Sequence, residues 1–276
     1  MRLLIVSDLH ANFAALERVL DTADAVVFLG DAVDYGPDPS EAVDWVRRTA
    51  TYAVRGNHDE AVANGVPTGA APAWAGLAET SAQWTRASLD AGDRAYLGSL
   101  PLRARFSFGG ARFEALHAAP LDPLYQYLPP ETPEAEWERQ LAGLDADWLL
   151  YGHTHRPLLA RFGTVTVLNP GSVGQPRMGA PLASYAIWDD GDVFFAARRY
   201  DTERTVGRLQ QLPLERGDTA ELVRIVRTGA TRGRAPVPGA GQHGGTAAGT
   251  PAARMSEPAE ASGSVRVRPG PPPPER

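Results

Sequence analysis

No cysteine and no lysine occur anywhere in the 276 residues. Without cysteine there are no disulfides, no thiolate metal sites and no cysteine nucleophile. Without lysine, Walker-type phosphate binding and Schiff-base chemistry are excluded, and all basic charge rests on arginine. A broad basic surface is also missing. The formal net charge is −6, which argues against nucleic acid as a partner. An anionic substrate stays open, because bound metal ions supply positive charge locally. Long apolar runs are scarce. The opening MRLLIVSDLH meets a charge too early for a signal peptide, and no segment is suited to spanning a bilayer. The expectation is a soluble, cytoplasmic protein without membrane contact.

What the chain does have is core material, at 43% hydrophobic residues. Its length fits one large domain or two small ones. Composition shifts near Thr228. From Gly229 onward Gly, Pro, Ala and Arg dominate, ending in RPGPPPPER. Such a tail cannot bury enough apolar surface to offset its ordering entropy, so residues 229–276 are expected to be disordered. The tail holds six Arg and three Glu, a charge of +3, which leaves the body near −9. A solvated extension is the simpler reading of it, a weak contact arm the functional one.

The body, residues 1–228, reads as mixed strands and helices. LLIVS, AVVFL, TYAV, FEAL and DWLLY are short apolar runs. FAALERVL and SEAVDWVRR are helical patterns, with Ser40 placed to cap the second. Helices are expected over about 74–90 and 93–99. Hairpins are expected across Gly109-Gly110, within LLARFGTVTVLN, and at Asp190-Gly191. Early strands alternate with helices and later ones form hairpins, which predicts an α/β fold with a mixed sheet or a pair of sheets and helices outside.

Each of those five apolar runs stops abruptly at metal-capable side chains. LLIVS leads to Asp8 and His10, AVVFL to Asp31, TYAV to Asn57, His58 and Asp59, FEAL to His117, and DWLLY to His153 and His155. Ligands gather outside the carboxyl ends of strands in α/β sheets. Each piece alone is weak. A single histidine is more often a core or surface residue than a ligand, and GNHD serves equally well as a turn and helix cap. The conjunction is what counts. Five of the six histidines sit at such ends, and only His243 lies in the tail. Imidazole and carboxylate without sulfur suit Mn, Fe, Zn, Ni or Co. Seven ligands exceed the needs of one ion, whereas two ions ~3.5–4 Å apart with a shared carboxylate use them all. His153 and His155, two residues apart, would point to the same side of an extended segment.

In this set of motifs the chain resembles the calcineurin-like metallophosphoesterases. SDLHAN, GDAVD, RGNHD, LHA and GHTHRP match that superfamily's five motifs in order, and LNPGSVGQPR resembles the prokaryotic branch of YfcE-like phosphodiesterases. The resemblance covers about residues 1–200. It implies a four-layer αββα sandwich of two mixed β-sheets flanked by helices, with residues 60–105 as a helical cap or insertion. It implies that Asp8, His10 and His155 hold one divalent metal and Asn57, His117 and His153 another, with Asp31 bridging and manganese the first choice of ion. His58 would act as the proton donor and Asp34 would orient it. Arg55 and Arg177 are candidate substrate contacts, with a structural salt bridge the alternative for Arg55. Asn12 reads better as a helix cap than as a phosphate ligand. Asp59 reads as a surface helix cap and stays outside the set. Trp74, Trp84 and Trp137 read as core or lid packing rather than a platform for stacking bases.

The implied reaction is hydrolysis of a small phosphate ester, a phosphodiester or nucleotide, by in-line attack of a metal-bridging hydroxide. Dinucleoside polyphosphate hydrolysis and phosphomonoester hydrolysis are the alternatives. Tyr35 stands where the protein-phosphatase branch has an arginine, which speaks against a phosphoprotein substrate. A nuclease would be expected to carry a basic groove. A non-catalytic scaffold of the same fold would have lost part of the ligand set, and here the set is complete.

Overall fold

The strand β1 (Arg2–Val6) shows how the layers arise. Leu3 and Ile5 face one apolar core, while Leu4 and Val6 face another. Successive side chains of a strand point to opposite faces, so a strand apolar on both is buried on both. The computed structural model describes residues 1–231 and 264–267.

After β1 come α1 (Phe13–Leu16), β2 (Ala25–Phe28), α2 (Pro39–Thr49), β3 (Tyr52–Ala53), α3 (Asn57–Asn64), α4 (Pro72–Ser88) and α5 (Ala91–Ser99). Next are β4 (Arg103–Phe108), β5 (Ala111–Leu116), α6 (Glu134–Leu141), β6 (Trp148–Leu150), β7 (Leu158–Phe162) and β8 (Val165–Asn169). The chain continues through β9 (Leu182–Asp189), β10 (Asp192–Arg199), α7 (Thr202–Leu209), α8 (Arg216–Thr228) and β11 (Ser264–Val267). One sheet has the order β11-β10-β9-β1-β2-β3 and the other β4-β5-β6-β8-β7. Both are mixed. In the first, β1, β2 and β3 run parallel; in the second, β5, β6 and β8 do.

Three cores separate four layers. Leu3, Ile5 and Val27 of the first sheet meet Phe113, Trp148 and Leu168 of the second. Leu4, Val6 and Phe28 pack outward against helical residues such as Val43, Leu77, Leu97 and Leu222. Leu149, Val165 and Val167 pack outward against Trp137 and Leu141 of α6. The result is the αββα sandwich. Leu77, Ala82 and Leu97 lie in the same core as Val43 and Val46, so the stretch 60–105 packs as part of the helical layer. Among the described residues, no helix is long and apolar enough to cross a membrane.

The three hairpins form where expected. The turn residues Gly109, Gly110, Asp190 and Gly191 all have positive φ, as a two-residue hairpin of the favoured twist requires. Two helix expectations need correction. The helix α2 starts at Pro39, with Asp38 and not Ser40 as its cap, because proline at the first helical position has its φ already set. The helix α1 ends at Leu16. Beyond it, Arg18 and Val19 bond to carbonyls three residues back, a tighter winding that does not propagate. The tail is also not wholly without structure. Ser264–Val267 forms β11, antiparallel to β10, where the sheet edge has unpaired backbone groups to offer. Residues 232–263 and 268–276 lie outside the described residues.

Trp137 is 1% exposed and stacks on Phe162 with ring centroids 5.3 Å apart. Trp137→Ala should therefore lower unfolding free energy by about 3–5 kcal/mol. Leu20→Ala, at a side chain 62% exposed, should change it by less than about 0.5 kcal/mol. Urea unfolding of the two variants checks both values.

A candidate metal centre at the strand ends

The carboxyl ends of β1, β2 and β3 in one sheet meet those of β5 and β6 in the other, and each strand hands over to a sharp loop. Asp8, His10, Ala11, Asp31, Asp34, Tyr35, His153 and His155 all have φ between 44° and 76°. Among the described residues, the one other non-glycine residue with positive φ is Asp190, in a hairpin turn. Such backbone is strained for L-residues and persists where the surroundings over-determine it. The expected extended segment through His153 and His155 is therefore absent: both are left-handed, and their relative direction comes from a turn. Close approach also matters. A Cβ on Gly152 would fall 1.9 Å from Ser7 Oγ, so only glycine lets the His153 loop sit against the Asp8 loop.

The fold gathers six of the seven candidate ligands into two groups, with Asn57 beside the second. Asp8, His10 and His155 form the first, with donor atoms within 4.8 Å of one another; Asp31, His117 and His153 form the second. In the first, His155 Nε2 lies 3.2 Å from Asp8 Oδ1 and 3.2 Å from His10 Nε2. In the second, His117 Nε2 lies 3.2 Å from Asp31 Oδ2 and 3.0 Å from Asn57 Oδ1. The Asn57 amide nitrogen donates to the Thr68 carbonyl at 2.7 Å, which turns its oxygen inward. Asp31 Oδ2 also lies 3.8 Å from His10 Nε2, so one carboxylate oxygen faces both groups.

The ring tautomers follow from the outer hydrogen bonds. His10 Nδ1 donates to Val33 O at 3.2 Å, His117 Nδ1 to Leu29 O at 2.8 Å, and His155 Nδ1 to Gln175 O at 2.6 Å. Each neutral ring is left with a lone pair on Nε2 pointing inward. Two such lone pairs then face each other at 3.2 Å between His10 and His155. Asp8 Oδ1 and Asp31 Oδ2 are buried with no hydrogen-bond partner. Inward-facing nitrogen and oxygen lone pairs in a dry site are unfavourable unless a cation lies among them. The donor set fits divalent metal.

Protons are a poor substitute in the first group. Burial, then the charge of His155, pushes His10 well below the ordinary imidazole value. Burial, then Arg177, lowers His155. In the second group burial, then His117, lowers His153 to about 3. His117 goes the other way: burial opposes its charge, but the Asp31 carboxylate raises it to about 9. Burial alone would raise the Asp31 carboxyl, yet His117 and His58 hold it well below the usual range.

His58 Nδ1 donates to Asp34 Oδ2 at 2.6 Å, leaving Nε2 as the free edge of the ring. Burial opposes charge on His58, but Asp31 and Asp34 hold its pKa above the ordinary value. Tyr35 packs beside it, with ring centroids 4.7 Å apart. Arg55 is paired with Glu60 at 2.8 Å, off the hydrogen-bond line, and its other end donates to the Gly98 carbonyl. Its guanidinium is tied into the helical layer, and the salt bridge, not the substrate contact, is the reading that the geometry carries. Arg177 donates to Gln175 Oε1 at 2.8 Å and lies 5.9 Å from the Trp74 ring centre. Its Nε is buried without a partner. Asn12 caps α1 by accepting from Ala15 N at 3.3 Å, and Thr205 donates to the same oxygen at 2.8 Å.

Asp59 is more than the surface cap expected. It is fully buried and accepts from Gly56 N at 3.0 Å, Asp31 N at 2.8 Å, Ala32 N at 2.8 Å and Val33 N at 3.4 Å. Burial and the neighbouring Asp31 charge raise its pKa to about 6. One carboxylate thus caps α3 and holds the loop that carries Asp31. The signal in the sequence, Asp directly after GNH, does not separate this role from an exposed cap.

Residues 1–191 match the model of the calcineurin-like phosphoesterase superfamily domain. The uncharacterized protein MJ0912 of Methanocaldococcus jannaschii is 31% identical over 209 residues, covering 68% of this chain and 82% of that protein. Phosphodiesterase YfcE of Escherichia coli K12 is 28% identical over 205 residues, covering 69% and 88%. The crystal structure of a metallophosphoesterase from Sphaerobacter thermophilus superposes with a TM-score of 0.69 at 32% identity, over 80% of this chain and 98% of that one. That of hypothetical protein PH1004 from Pyrococcus horikoshii OT3 gives 0.73 at 21% identity, over 83% and 99%, a likeness of fold alone.

Asp59→Ala would leave four backbone N–H groups without their acceptor. It should cost roughly 1–3 kcal/mol or more of stability, measured by urea unfolding. A variant as stable as wild type would mean that the loop holds itself.

Proposed function

Because the chain belongs to the calcineurin-like phosphoesterase superfamily, we propose that it hydrolyses a small phosphate ester, a phosphodiester or nucleotide, at a centre of two divalent metal ions. The observation that carries this reading is Asp31 Oδ2, a buried oxygen without a hydrogen-bond partner that lies 3.2 Å from His117 Nε2 of one donor group and 3.8 Å from His10 Nε2 of the other. Asp8, His10 and His155 are assigned to one ion, Asn57, His117 and His153 to the other, and Asp31 to both. Nitrogen and oxygen donors without sulfur favour Mn, Fe, Zn, Ni or Co, with manganese the first to test. Two such ions supply the charge that acidifies a water and clamps phosphate oxygens during in-line displacement.

The protein's own groups do the rest. Val33 and Gln175 hold His10 and His155 by Nδ1, and both rings are lowered below the ordinary value, so no proton has to leave them before they bind metal. His117, held by Leu29 but raised to about 9 by Asp31, would give up its Nε2 proton to an incoming cation. His58, with Nδ1 fixed by Asp34, is assigned to protonate the leaving oxygen from Nε2. Its held-up pKa suits a donor. Arg177 is assigned to the substrate phosphate, with its buried, unpartnered Nε available for a charge-assisted bond.

Hydrolysis of bis(p-nitrophenyl) phosphate with added Mn²⁺ tests the whole reading. No turnover with any divalent metal, and no metal in the purified protein, would sink it. Asp31→Asn should abolish turnover and lower the bound metal content, because it removes the shared charge. His58→Ala should keep both metals, by elemental analysis, and lose roughly 10²–10⁴ in rate, least for good leaving groups. Chelation of the loaded protein should lower its melting temperature, since a ligand of the native state stabilises by mass action.

A further inference from the structure

The candidate ligands differ in exposure. Asp8, His10, Asp31, Asn57, His117 and His155 are at most 2% exposed. His153 is the one candidate ligand that is only partly buried. The site therefore meets solvent at His153, and the ring that stands beside it is aromatic. The Tyr127 ring meets the His153 ring nearly edge-on, with centroids 5.6 Å apart.

Tyr127 and Tyr125 are 44% and 40% exposed. Large apolar rings left facing solvent at a hydrolase mouth call for an explanation. Both come from the loop between His117 and α6, and that loop is held firmly. Leu124 and Leu128, on either side, are buried. Asp122 Oδ1 accepts from Leu124 N at 3.2 Å and Tyr125 N at 3.1 Å. Tyr151 OH donates to Leu128 O at 3.1 Å. Tyr127 OH donates to Thr154 O at 3.3 Å, inside the loop that carries both His153 and His155. Its hydroxyl is thus engaged, which fixes the ring in place. Tyr125 lies against Gly69, where a Cβ would come within 2.4 Å of its ring. Gly69 follows Thr68, whose carbonyl holds the Asn57 amide.

We propose that Tyr127, with Tyr125 beside it, forms a stacking wall for a flat aromatic ring on the substrate, and that the substrate is a nucleoside phosphate. This rests on the phosphoesterase reading and narrows its substrate class. The occupant is argued from continuity with the metal site: a phosphate held beside His153 would have the Tyr127 ring as a neighbour for an organic substituent. A rigidly held tyrosine face binds a base through stacking with little ordering cost. A sugar phosphate without a base would gain nothing from it.

Calorimetric titration of the full-length, Mn²⁺-loaded protein with AMP and with ribose 5-phosphate tests this without relying on turnover. Wild type should bind AMP about tenfold or more tighter than ribose 5-phosphate, the scale of one stacked base. In Tyr127→Ala that ratio should fall to about one or two, while Tyr127→Phe, which keeps the ring, should preserve most of it. Equal affinity for the two ligands in wild type, or an unchanged ratio in Tyr127→Ala, overturns the stacking wall alone when bis(p-nitrophenyl) phosphate is still hydrolysed. Binding of neither ligand, together with no hydrolysis, overturns the phosphoesterase reading and the stacking wall with it.

Discussion

Two imidazole lone pairs face each other across 3.2 Å, in a site where two carboxylate oxygens have no hydrogen-bond partner. Most of the unusual local structure serves to hold that arrangement. Left-handed backbone at eight loop residues aims the side chains inward. Gly152 lets the loops from the two sheets touch. Asp59 gathers backbone N–H groups from two loops onto one carboxylate. The left-handed backbone and the facing lone pairs are costly by themselves, and they converge on a place where a cation offsets the cost.

The carbonyls that orient the rings come from distant parts of the chain. Leu29 serves His117, Val33 serves His10, and Gln175 serves His155. The centre is therefore coupled to both sheets, and the sandwich around it must be formed before the centre can be. The C-terminal helices share in this, though they lie beyond residues 1–191, the part that matches the superfamily domain. Thr205 of α7 donates to Asn12, just past His10. The helix α7 thus braces the first metal-capable loop.

Much of the site was legible in the sequence, for a physical reason. Polar side chains that follow at once on a short apolar strand have few places to be except the strand's carboxyl end. Five such transitions in one chain, carrying five of its six histidines, define a cluster before any coordinates do. The hairpins were legible through their turn residues, and the α/β class through the alternation of the early strands with helices. Other features were not legible. Asp59 after GNH looks the same whether it caps a helix in water or is buried beneath the Asp31 loop. Ser40 was as good a cap by composition as Asp38, and the proline between them decided the outcome. Arg55 was undecided until Glu60 came within 2.8 Å. Tyr125 and Tyr127 carry no signal in LYQYLPP, because exposure of a tyrosine depends on what packs over it.

The order of the motifs, the residue types, the absence of sulfur and the strand alternation determined the fold class, the metal-capable set and the kind of donor chemistry. These are properties of short stretches, set by covalent geometry and side-chain polarity. The tertiary structure alone decided the rest. It grouped His155 with Asp8 and His10, and His153 with Asp31 and His117, and it left His153 as the one partly exposed member of the set. The reason is that His153 and His155 lie on a left-handed turn. The direction of each ring there depends on contacts with Gln175, His117 and Tyr127, which come from other parts of the chain and which no local pattern encodes.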